Sequence, residues 1–335
     1  MVFVGDILLG DAGTVALQVN GYEWPFEKVR SLLEGADLII GNLEGPMTSS
    51  KEKLLEGKGY SYKCSPEGAP ALKRAGFHAV SLANNHTLDY GIPGLRDTIT
   101  VLRENRIAPF GAGENEAEAR RGVVYDFGSI RIGVLGYTED RDQYKALGWF
   151  AAGPKPGCAM LSLENLESDI ARMRKHADAI VVSVHWGATY KDVKEFQEET
   201  GRRAIDLGAD MVCGHHPHIA QGIEIYRGKP IVYSLGNFAF CTNGRYPKGE
   251  QGYGLVSRWL FEGKTLKWLL ATPIAVNNKQ VKFQPRRVQA EEARRALAPR
   301  FEKYQTGVRW NDDTAFIGFA PDWETATLPA AGKME

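Results

Sequence analysis

The stretch Met211-Val212-Cys213-Gly214-His215-His216-Pro217-His218 joins an apolar strand to three histidines. Its apolar half predicts a buried β-strand that breaks off where the histidines begin. Pro217 fixes its own φ and favours extended geometry at His216. In an extended segment the side chains of His216 and His218 project together, and we expect His215 to point to the opposite side. Two imidazoles that converge from one rigid loop predict a divalent-metal site.

The composition describes an ordinary globular protein. The chain has 335 residues, of which 43% are hydrophobic and 24% are charged. Lys plus Arg equals Asp plus Glu, at 41 each, so no overall field favours nucleic acid or a membrane surface, and we expect no nucleic-acid partner. The cysteines are scattered without disulfide or zinc-site spacing: Cys64, Cys158, Cys213 and Cys241.

No apolar stretch is long enough for a transmembrane segment, and no signal peptide is present in the sequence as given. We therefore expect no transmembrane helix in this chain. Two locations stay open at this point. The protein is cytoplasmic as written, or it lies on the extracellular face of the cell membrane if an N-terminal anchor has been removed.

Helices and strands alternate along most of the chain. Four predicted strands are entered from a helix through similar short sequences: Gly35-Ala36-Asp37, Ala75-Gly76-Phe77, Ala177-Asp178-Ala179 and Gly208-Ala209-Asp210. This is typical of βαβ units, so we expect an α/β fold with mostly parallel strands. A helix is predicted to start near Pro25, and residues 123–134 predict a hairpin.

The pattern changes after residue 252. Residues 253–261, 266–276 and 281–283 predict strands of a second sheet layer, and 289–304 predict a charged helix. The tail from Asn311 is weakly patterned, and we expect it to lie over the surface. The predicted organisation is a main domain over residues 1–285, with a C-terminal helix and tail over 286–335 packed on it.

Polar side chains follow six of the predicted strands. They are Asp6, Asn42 with Glu44, Asn85 with His86, His185, His216 with His218, and Asn237. The carboxyl ends of parallel strands share one edge of a sheet, where ligands bind. Carboxylates, an amide oxygen and imidazoles suit one or two divalent ions such as Mn, Fe or Zn. Two ions about 3.5–4 Å apart, with a carboxylate between them, would activate a water molecule.

Each of these residues also has a structural interpretation. Asp6 could cap a turn, Glu44 could form a surface ion pair, and His185 could pack at the edge of the core. Asn84 and Asn237 are as easily turn residues as functional ones. Each signal is weak alone, and their common position at strand ends makes them strong together.

The ordered motifs resemble the CapA family, which is associated with poly-γ-glutamate capsule synthesis and belongs to the calcineurin-like metallophosphoesterase superfamily. The resemblance runs from about residue 2 to 240 and rests on Gly5-Asp6, Gly41-Asn42-Leu43-Glu44, Ala83-Asn84-Asn85-His86, Asp89-Tyr90-Gly91, His185-Trp186-Gly187, residues 214–218 and Ser234-Leu235-Gly236-Asn237-Phe238. It implies a four-layer α/β/β/α sandwich, in which two mixed sheets are flanked by helices.

The resemblance also implies roles for single residues. Asp6 resembles the first metal carboxylate, Glu44 the bridging carboxylate, and Asn85 and His185 the ligands of the second ion. The pair His216 and His218 resembles a motif that supplies one ligand to each ion. The implied catalytic residues are His86, as proton donor, and its nearest carboxylate, Asp89.

Three positions depart from the superfamily pattern. Leu8 stands where a metal-binding histidine is usual, Glu44 replaces an aspartate, and Thr87 replaces the acidic residue that usually follows the catalytic histidine. One metal position is therefore short of a ligand, and occupancy by a single ion is an open alternative.

The leading functional hypothesis is a metal-dependent hydrolase of phosphoester bonds or of amide bonds such as γ-glutamyl. The alternative is a non-catalytic component that binds poly-γ-glutamate during its assembly or export. Retention of His86 favours catalysis. The expected partners are an anionic polymer or a small-molecule substrate, with other capsule-synthesis proteins as further candidates. Loop cations could contact an anionic substrate: Lys58, Lys63, Arg141, Lys191 and Arg245. A (β/α)₈ barrel hydrolase is the third hypothesis, and the β-rich run after residue 252 argues against it.

Overall fold

The computed structural model describes residues 1–54, 60–244, 246 and 252–329. Its strands are β1 Val2–Leu8, β2 Ile39–Leu43, β3 Ala79–Ser81, β4 Ala108–Phe110, β5 Ala112–Gly113, β6 Val123–Asp126, β7 Arg131–Glu139, β8 Gly157–Cys158, β9 Met160–Leu161, β10 Ala179–His185, β11 Met211–His215, β12 Ile223–Tyr226, β13 Lys229–Val232, β14 Asn237–Phe240, β15 Tyr253–Glu262, β16 Thr265–Ala275, β17 Arg286–Arg287, β18 Arg309–Asn311 and β19 Thr314–Gly318.

The α-helices are α1 Thr14–Asn20, α2 Gly68–Arg74, α3 Gly91–Glu104, α4 Glu116–Arg121, α5 Asp142–Ala146, α6 Leu163–Met173, α7 Glu195–Asp206, α8 Asn278–Val281 and α9 Ala290–Glu302. Two 3₁₀ segments cover Asp11–Gly13 and Trp24–Leu32.

Two mixed sheets carry most of the strands. The first has the order β18-β19-β16-β15-β1-β2-β3-β4, with β14 also pairing with β1 and β17 with β16. The second has the order β12-β13-β11-β10-β7-β6, with β9 also pairing with β7. The parallel pairs are those that the βαβ pattern predicts, such as β1 with β2 and β10 with β11. The long hairpin β15–β16 is antiparallel and extends the first sheet beyond β1.

Alternating side chains show how the layers stack. On β1, Val2 and Val4 belong to one apolar cluster with residues of α2 and α3, whereas Phe3 faces a second cluster. On β10, Val181 joins Phe3 in that second cluster, and Ile180 belongs to a third cluster with residues of α6 and α7. The second cluster therefore lies between the two sheets, and the helices cover the outer faces. The predicted four-layer α/β/β/α architecture is confirmed.

Helix α6 shows the local logic of an outer layer. Ser162 caps its N-terminus by accepting a hydrogen bond from the backbone N–H of Asn165 at 3.1 Å. Leu166, Ile170 and Met173 follow at helical spacing, and all three are buried against the second sheet.

Strand register brings the polar strand ends together. In the parallel pairs of β1, Asp6 lies opposite Asn42 of β2 and opposite Asn237 of β14. In the second sheet His185, the last residue of β10, lies opposite His215, the last residue of β11. Residues that are far apart in the sequence thus meet at one end of the sandwich.

Gly5 allows the close pairing that positions Asp6. A Cβ atom at this position would lie 1.9 Å from the carbonyl oxygen of Gly236, which is inside van der Waals contact. The N–H of Asp6 donates to that same carbonyl at 2.9 Å. The motif Gly5-Asp6 is therefore needed for packing as well as for its carboxylate.

Four local predictions are wrong. Residues 278–281 form helix α8 rather than a strand over 281–283, and strands β15 and β16, expected in a second sheet layer, belong to the same sheet as β1. The helix predicted near Pro25 is present as a 3₁₀ segment. Asn237 begins β14 instead of ending the preceding strand. The tail from Asn311 does not lie over the surface, because Thr314–Gly318 forms β19 and pairs antiparallel with β16. Strands β17 to β19 thus join the first sheet. The proposed division at residue 285 stays a prediction.

Among the described residues, no helix is both long and apolar enough to span a bilayer.

The inclusion of β19 in the core gives a test of the fold. Phe316 on this strand is fully buried, whereas Phe127 in the β6–β7 turn is 37% exposed. Phe316→Ala should lower the free energy of unfolding by about 3–5 kcal/mol, because it removes a large buried ring. Phe127→Ala, the matched control, should change it by less than about 1 kcal/mol. Urea denaturation measures both, and equal small losses would mean that the tail is only a surface segment.

Candidate metal centre

Five buried side chains with metal-binding atoms meet at the end of the sandwich. Two groups of three each have one candidate ligand atom per residue, all within 4.8 Å of one another: Glu44, His185 and His216 in the first, and Asp6, Glu44 and His218 in the second. All of these residues are at least nine-tenths buried. Glu44 belongs to both groups.

Asp6 is held by groups on both sheets. Its carboxylate accepts a hydrogen bond from Asn42 Nδ2 at 2.8 Å and lies 3.2 Å from Nδ1 of His218 and 3.4 Å from Nδ1 of His215. Burial alone would raise the pKa of Asp6, but the hydrogen bonds from His215 and His218 outweigh it. The pKa of Asp6 therefore lies well below its usual range, and the side chain is a carboxylate.

His185 brings Asn85 into the same group. Its Nε2 lies 2.7 Å from Oδ1 of Asn85 and 3.8 Å from Oε1 of Glu44. Its Nδ1 lies 3.3 Å from Nδ2 of Asn42, the amide that also contacts Asp6. Asn85, Glu44 and His185 thus present three candidate ligand atoms within reach of one ion.

The histidine loop does not have the extended geometry predicted from Pro217. The backbone φ is 96° at His216 and 59° at His218, so both residues are in left-handed conformations. Contacts to other elements stabilise this turn: the N–H of His216 lies 3.4 Å from Oδ2 of Asp6, and Tyr190 N–H donates to the Pro217 carbonyl at 2.8 Å. The rings of His216 and His218 still lie on the same side, 6.0 Å apart.

His215 does not point away from the centre, as alternation predicted. It ends β11, and its Nδ1 reaches Asp6. The expected opposite side is wrong because the chain turns directly after His215, so alternation along a strand no longer relates this residue to the two that follow.

The imidazoles are suited to bind a metal ion. Burial, followed by neighbouring charges, lowers the pKa values of His185 and His216 well below the usual range, so both rings are neutral. Nδ1 of His216 is buried without a hydrogen-bond partner among the described residues. On His218, Nδ1 faces the acceptors Asn237 Oδ1 (2.9 Å) and Asp6, which leaves the Nε2 lone pair directed toward Glu44 at 3.7 Å.

His86 and Asp89 form a pair beside this centre. Nδ1 of His86 lies 2.6 Å from Oδ2 of Asp89, and Nε2 lies 3.9 Å from Oε1 of Glu44. The same Asp89 oxygen accepts the backbone N–H of Tyr62 at 2.7 Å, and the Tyr62 ring packs against His86 with 4.2 Å between ring centroids and the planes tilted by 38°. Because Asp89 is an acceptor, Nδ1 of His86 carries a proton and Nε2 faces the centre.

Several supporting residues are visible only in the structure. Asn84, which the sequence left open, donates to the carbonyl of Leu43 at 2.8 Å and accepts the backbone N–H of His86 at 3.1 Å. It thereby ties the loop of His86 to the strand before Glu44. Leu8, at the position of the usual superfamily histidine, is buried in the apolar core, and Thr87 bonds to Asn84 within its own turn.

Two of the loop cations predicted to contact an anionic substrate bond to other groups. Lys63 donates to the carbonyl of Ser50 at 2.8 Å, and Arg141 pairs with Glu139 at 2.9 Å. Lys191 is exposed and does not line the cleft that opens over the centre. The other two cations proposed from the sequence, Lys58 and Arg245, lie outside the described residues.

A cleft of about 790 Å³ opens over the centre. Its floor includes Asn85, His86, His216 and His218, so the proposed ligands and the proposed proton donor face the same space. A small-molecule substrate or a segment of a polymer would fit a cleft of this size.

These features define a four-layer α/β protein with a buried cluster of carboxylates and imidazoles at one end of its sheets. The chain belongs to the family of bacterial capsule synthesis proteins, because the family model described as "Bacterial capsule synthesis protein PGA_cap" matches residues 1–242.

Relatives include two proteins named CapA. The chain is 33% identical over 240 residues to the PGA biosynthesis protein CapA of Bacillus subtilis, covering 71% of this chain and 62% of that protein. It is 34% identical over 247 residues to the capsule biosynthesis protein CapA of Bacillus anthracis, covering 72% of this chain and 59% of that protein. The match thus spans about three fifths of the length of these relatives.

Among solved structures, a hypothetical protein from Thermus thermophilus aligns with a TM-score of 0.47 and 15% identity, over 81% of this chain and 97% of that one. A protein described as a novel phosphatase of Mycoplasma pneumoniae aligns with a TM-score of 0.47 and 13% identity, over 83% and 88%.

The two donor groups predict which histidines control metal binding. His216→Ala should lower the bound metal measured by elemental analysis, because it removes a ligand. His215→Ala should weaken metal affinity by a smaller factor, about 10- to 100-fold, since His215 orients Asp6 rather than facing Glu44. His176→Ala, at an exposed helix end, is the control and should retain full metal content. Equal metal content in the His216→Ala and His176→Ala variants would show that His216 is not a metal ligand.

Proposed function

We propose that this protein is a metal-dependent hydrolase that acts in capsule synthesis. The observation that supports this most directly is the pair of donor groups that share Glu44, placed beside the His86–Asp89 pair. A purely structural metal site needs no proton donor at its edge, and here Nε2 of His86 lies 3.9 Å from the shared carboxylate.

The residues present fit divalent ions. Their donors are carboxylate oxygens, an amide oxygen and neutral imidazoles, which suit Mn, Fe or Zn. We assign Glu44, His185, His216 and Asn85 to one ion, and Asp6, Glu44 and His218 to the other. Divalent ions held by these residues would supply an activated water molecule and would neutralise charge on the oxygens of the reacting group.

His86 performs general acid catalysis in this proposal. Asp89 holds the Nδ1 proton and fixes the ring, and Tyr62 packs against one face of it. Nε2 is then the atom that gives a proton to the leaving group and recovers one afterwards. His86 and Asp89 are both at least nine-tenths buried, so little water competes for that proton.

The names of the relatives supply the biological setting. The CapA proteins are named for PGA or capsule biosynthesis, and a relative from Mycobacterium tuberculosis, 29% identical over 312 residues, is named a probable polyglutamine synthesis accessory protein. We place this chain in the synthesis of a poly-glutamate capsule, where it works with other capsule-synthesis proteins. The bond that it hydrolyses is a phosphoester or a γ-glutamyl amide.

The role of His86 predicts a specific kinetic defect. His86→Gln should retain the fold and the bound metal while turnover falls by about 10²- to 10⁴-fold, because the leaving group no longer receives a proton. The loss should shrink on aryl phosphates whose leaving groups need no proton, and it should be largest on alkyl phosphates. Steady-state kinetics on both classes, with elemental analysis of each variant, measures this.

Asp89→Asn serves as the companion variant. It should give a milder loss and an altered pH profile, since the ring of His86 is still present but has lost its charged partner. An unchanged rate of His86→Gln on alkyl phosphates would contradict the proposed acid. If the wild type hydrolyses neither phosphoesters nor γ-glutamyl peptides with Mn, Fe or Zn, the hydrolase hypothesis is wrong. The alternative, a polymer-binding component, would then take its place.

A further inference from the structure

The cleft over the metal centre is walled by aromatic rings. Four tyrosines line it: Tyr60, Tyr62, Tyr144 and Tyr190. Tyr60 is 44% exposed, and its ring centroid lies 6.3 Å from that of Tyr62. An aromatic ring kept this open to water beside a reaction centre offers a flat face to a ligand.

The position of these rings relative to His86 identifies the part of the substrate that they contact. A general acid touches the leaving group, and the Tyr62 ring packs against the ring of His86 with the two planes tilted by 38°. Tyr60 lies next to Tyr62 on the same loop side of the cleft. The group that receives the proton of His86 therefore lies against Tyr60 and Tyr62.

Most of the other described residues that line the cleft are polar and uncharged. Amide and hydroxyl side chains line the cleft: Gln143, Thr189, Thr242 and Asn243. If the histidines are set aside, Asp11 is the one described lining residue with a charged side chain. Lys63 and Arg141, which could have met a polyanion, are bonded to Ser50 and Glu139. Flat faces beside hydrogen-bonding edges match a ring that carries hydroxyl groups.

We propose that the leaving-group side of the cleft binds a sugar ring, stacked on Tyr60 beside Tyr62, so that the substrate is a phosphoester of a sugar. The inference rests on the proposed hydrolase function. In the reaction a water oxygen forms the new bond to phosphorus, and the bond from phosphorus to the sugar oxygen breaks. His86 protonates that oxygen and is restored by the proton that the water loses, which gives phosphate and the free sugar.

The test uses substrates that differ in the ring alone. Glucose 6-phosphate and sorbitol 6-phosphate have the same number of carbons and both release a primary alcohol, but sorbitol has no ring. We expect kcat/KM of the metal-loaded protein to be about 3- to 10-fold higher for glucose 6-phosphate than for sorbitol 6-phosphate, because stacking on an aromatic face favours the ring by about this factor. Tyr60→Ala should bring this ratio close to one. Tyr226→Ala, a half-buried tyrosine on β12 outside the cleft, should leave the ratio unchanged.

Binding gives a second measurement that does not depend on turnover. Saturation-transfer NMR should detect glucose but not sorbitol on the wild type, and the glucose signal should be lost in Tyr60→Ala. Equal kcat/KM values for the two phosphates would overturn the sugar site and leave the hydrolase standing. A preference for benzyl phosphate over glucose 6-phosphate would overturn it in favour of an aryl group. Turnover of none of these esters would instead count against the proposed function itself.

Discussion

The parallel pairing of β1 with both β2 and β14 is the constraint on which the rest of the site depends. It places Asp6 opposite Asn42 on one side and opposite Asn237 on the other. Asn42 then contacts Asp6 and His185, and Asn237 contacts His218, so each neighbour of β1 links the carboxylate to a histidine of the second sheet. Gly5 makes this pairing possible, because a side chain there would overlap the backbone at Gly236.

A buried carboxylate needs compensation, and the two sheets supply it together. Burial opposes the charge of Asp6, and His215 and His218 from the second sheet stabilise it. Glu44 is equally buried and lies between the two groups of histidine nitrogens, 3.7 Å from His218 and 3.8 Å from His185. A divalent ion bound among these carboxylates and imidazoles would stabilise them. The packing of the two sheets is thus connected to the proposed chemistry.

Much of this arrangement could be predicted from the sequence. Strands ending in donors indicated that Asp6, Glu44, Asn85, His185, His216 and His218 would lie near one another, because parallel strands deliver their carboxyl ends to one edge. The conformation of residues 215–218 could not be predicted from alternation, since contacts to Asp6 and Tyr190 from other elements stabilise left-handed backbone there. Strand β19 was missed because a short apolar run becomes a strand only when β16 offers an edge to pair with. The contact between the rings of Tyr62 and His86 had no sequence signal, because it joins two loops that only the tertiary fold brings together.

The proposed position of Glu44 between two ions can be checked through the metal-to-protein ratio of the wild type and of Glu44→Gln. Elemental analysis after dialysis in Mn²⁺ should give about two ions per chain for the wild type. Glu44→Gln should lose both ions, whereas His218→Ala should retain one, because among the described residues Glu44 alone belongs to both donor groups. A Glu44→Gln protein that retains the metal content of the wild type would show that Glu44 does not hold the two ions.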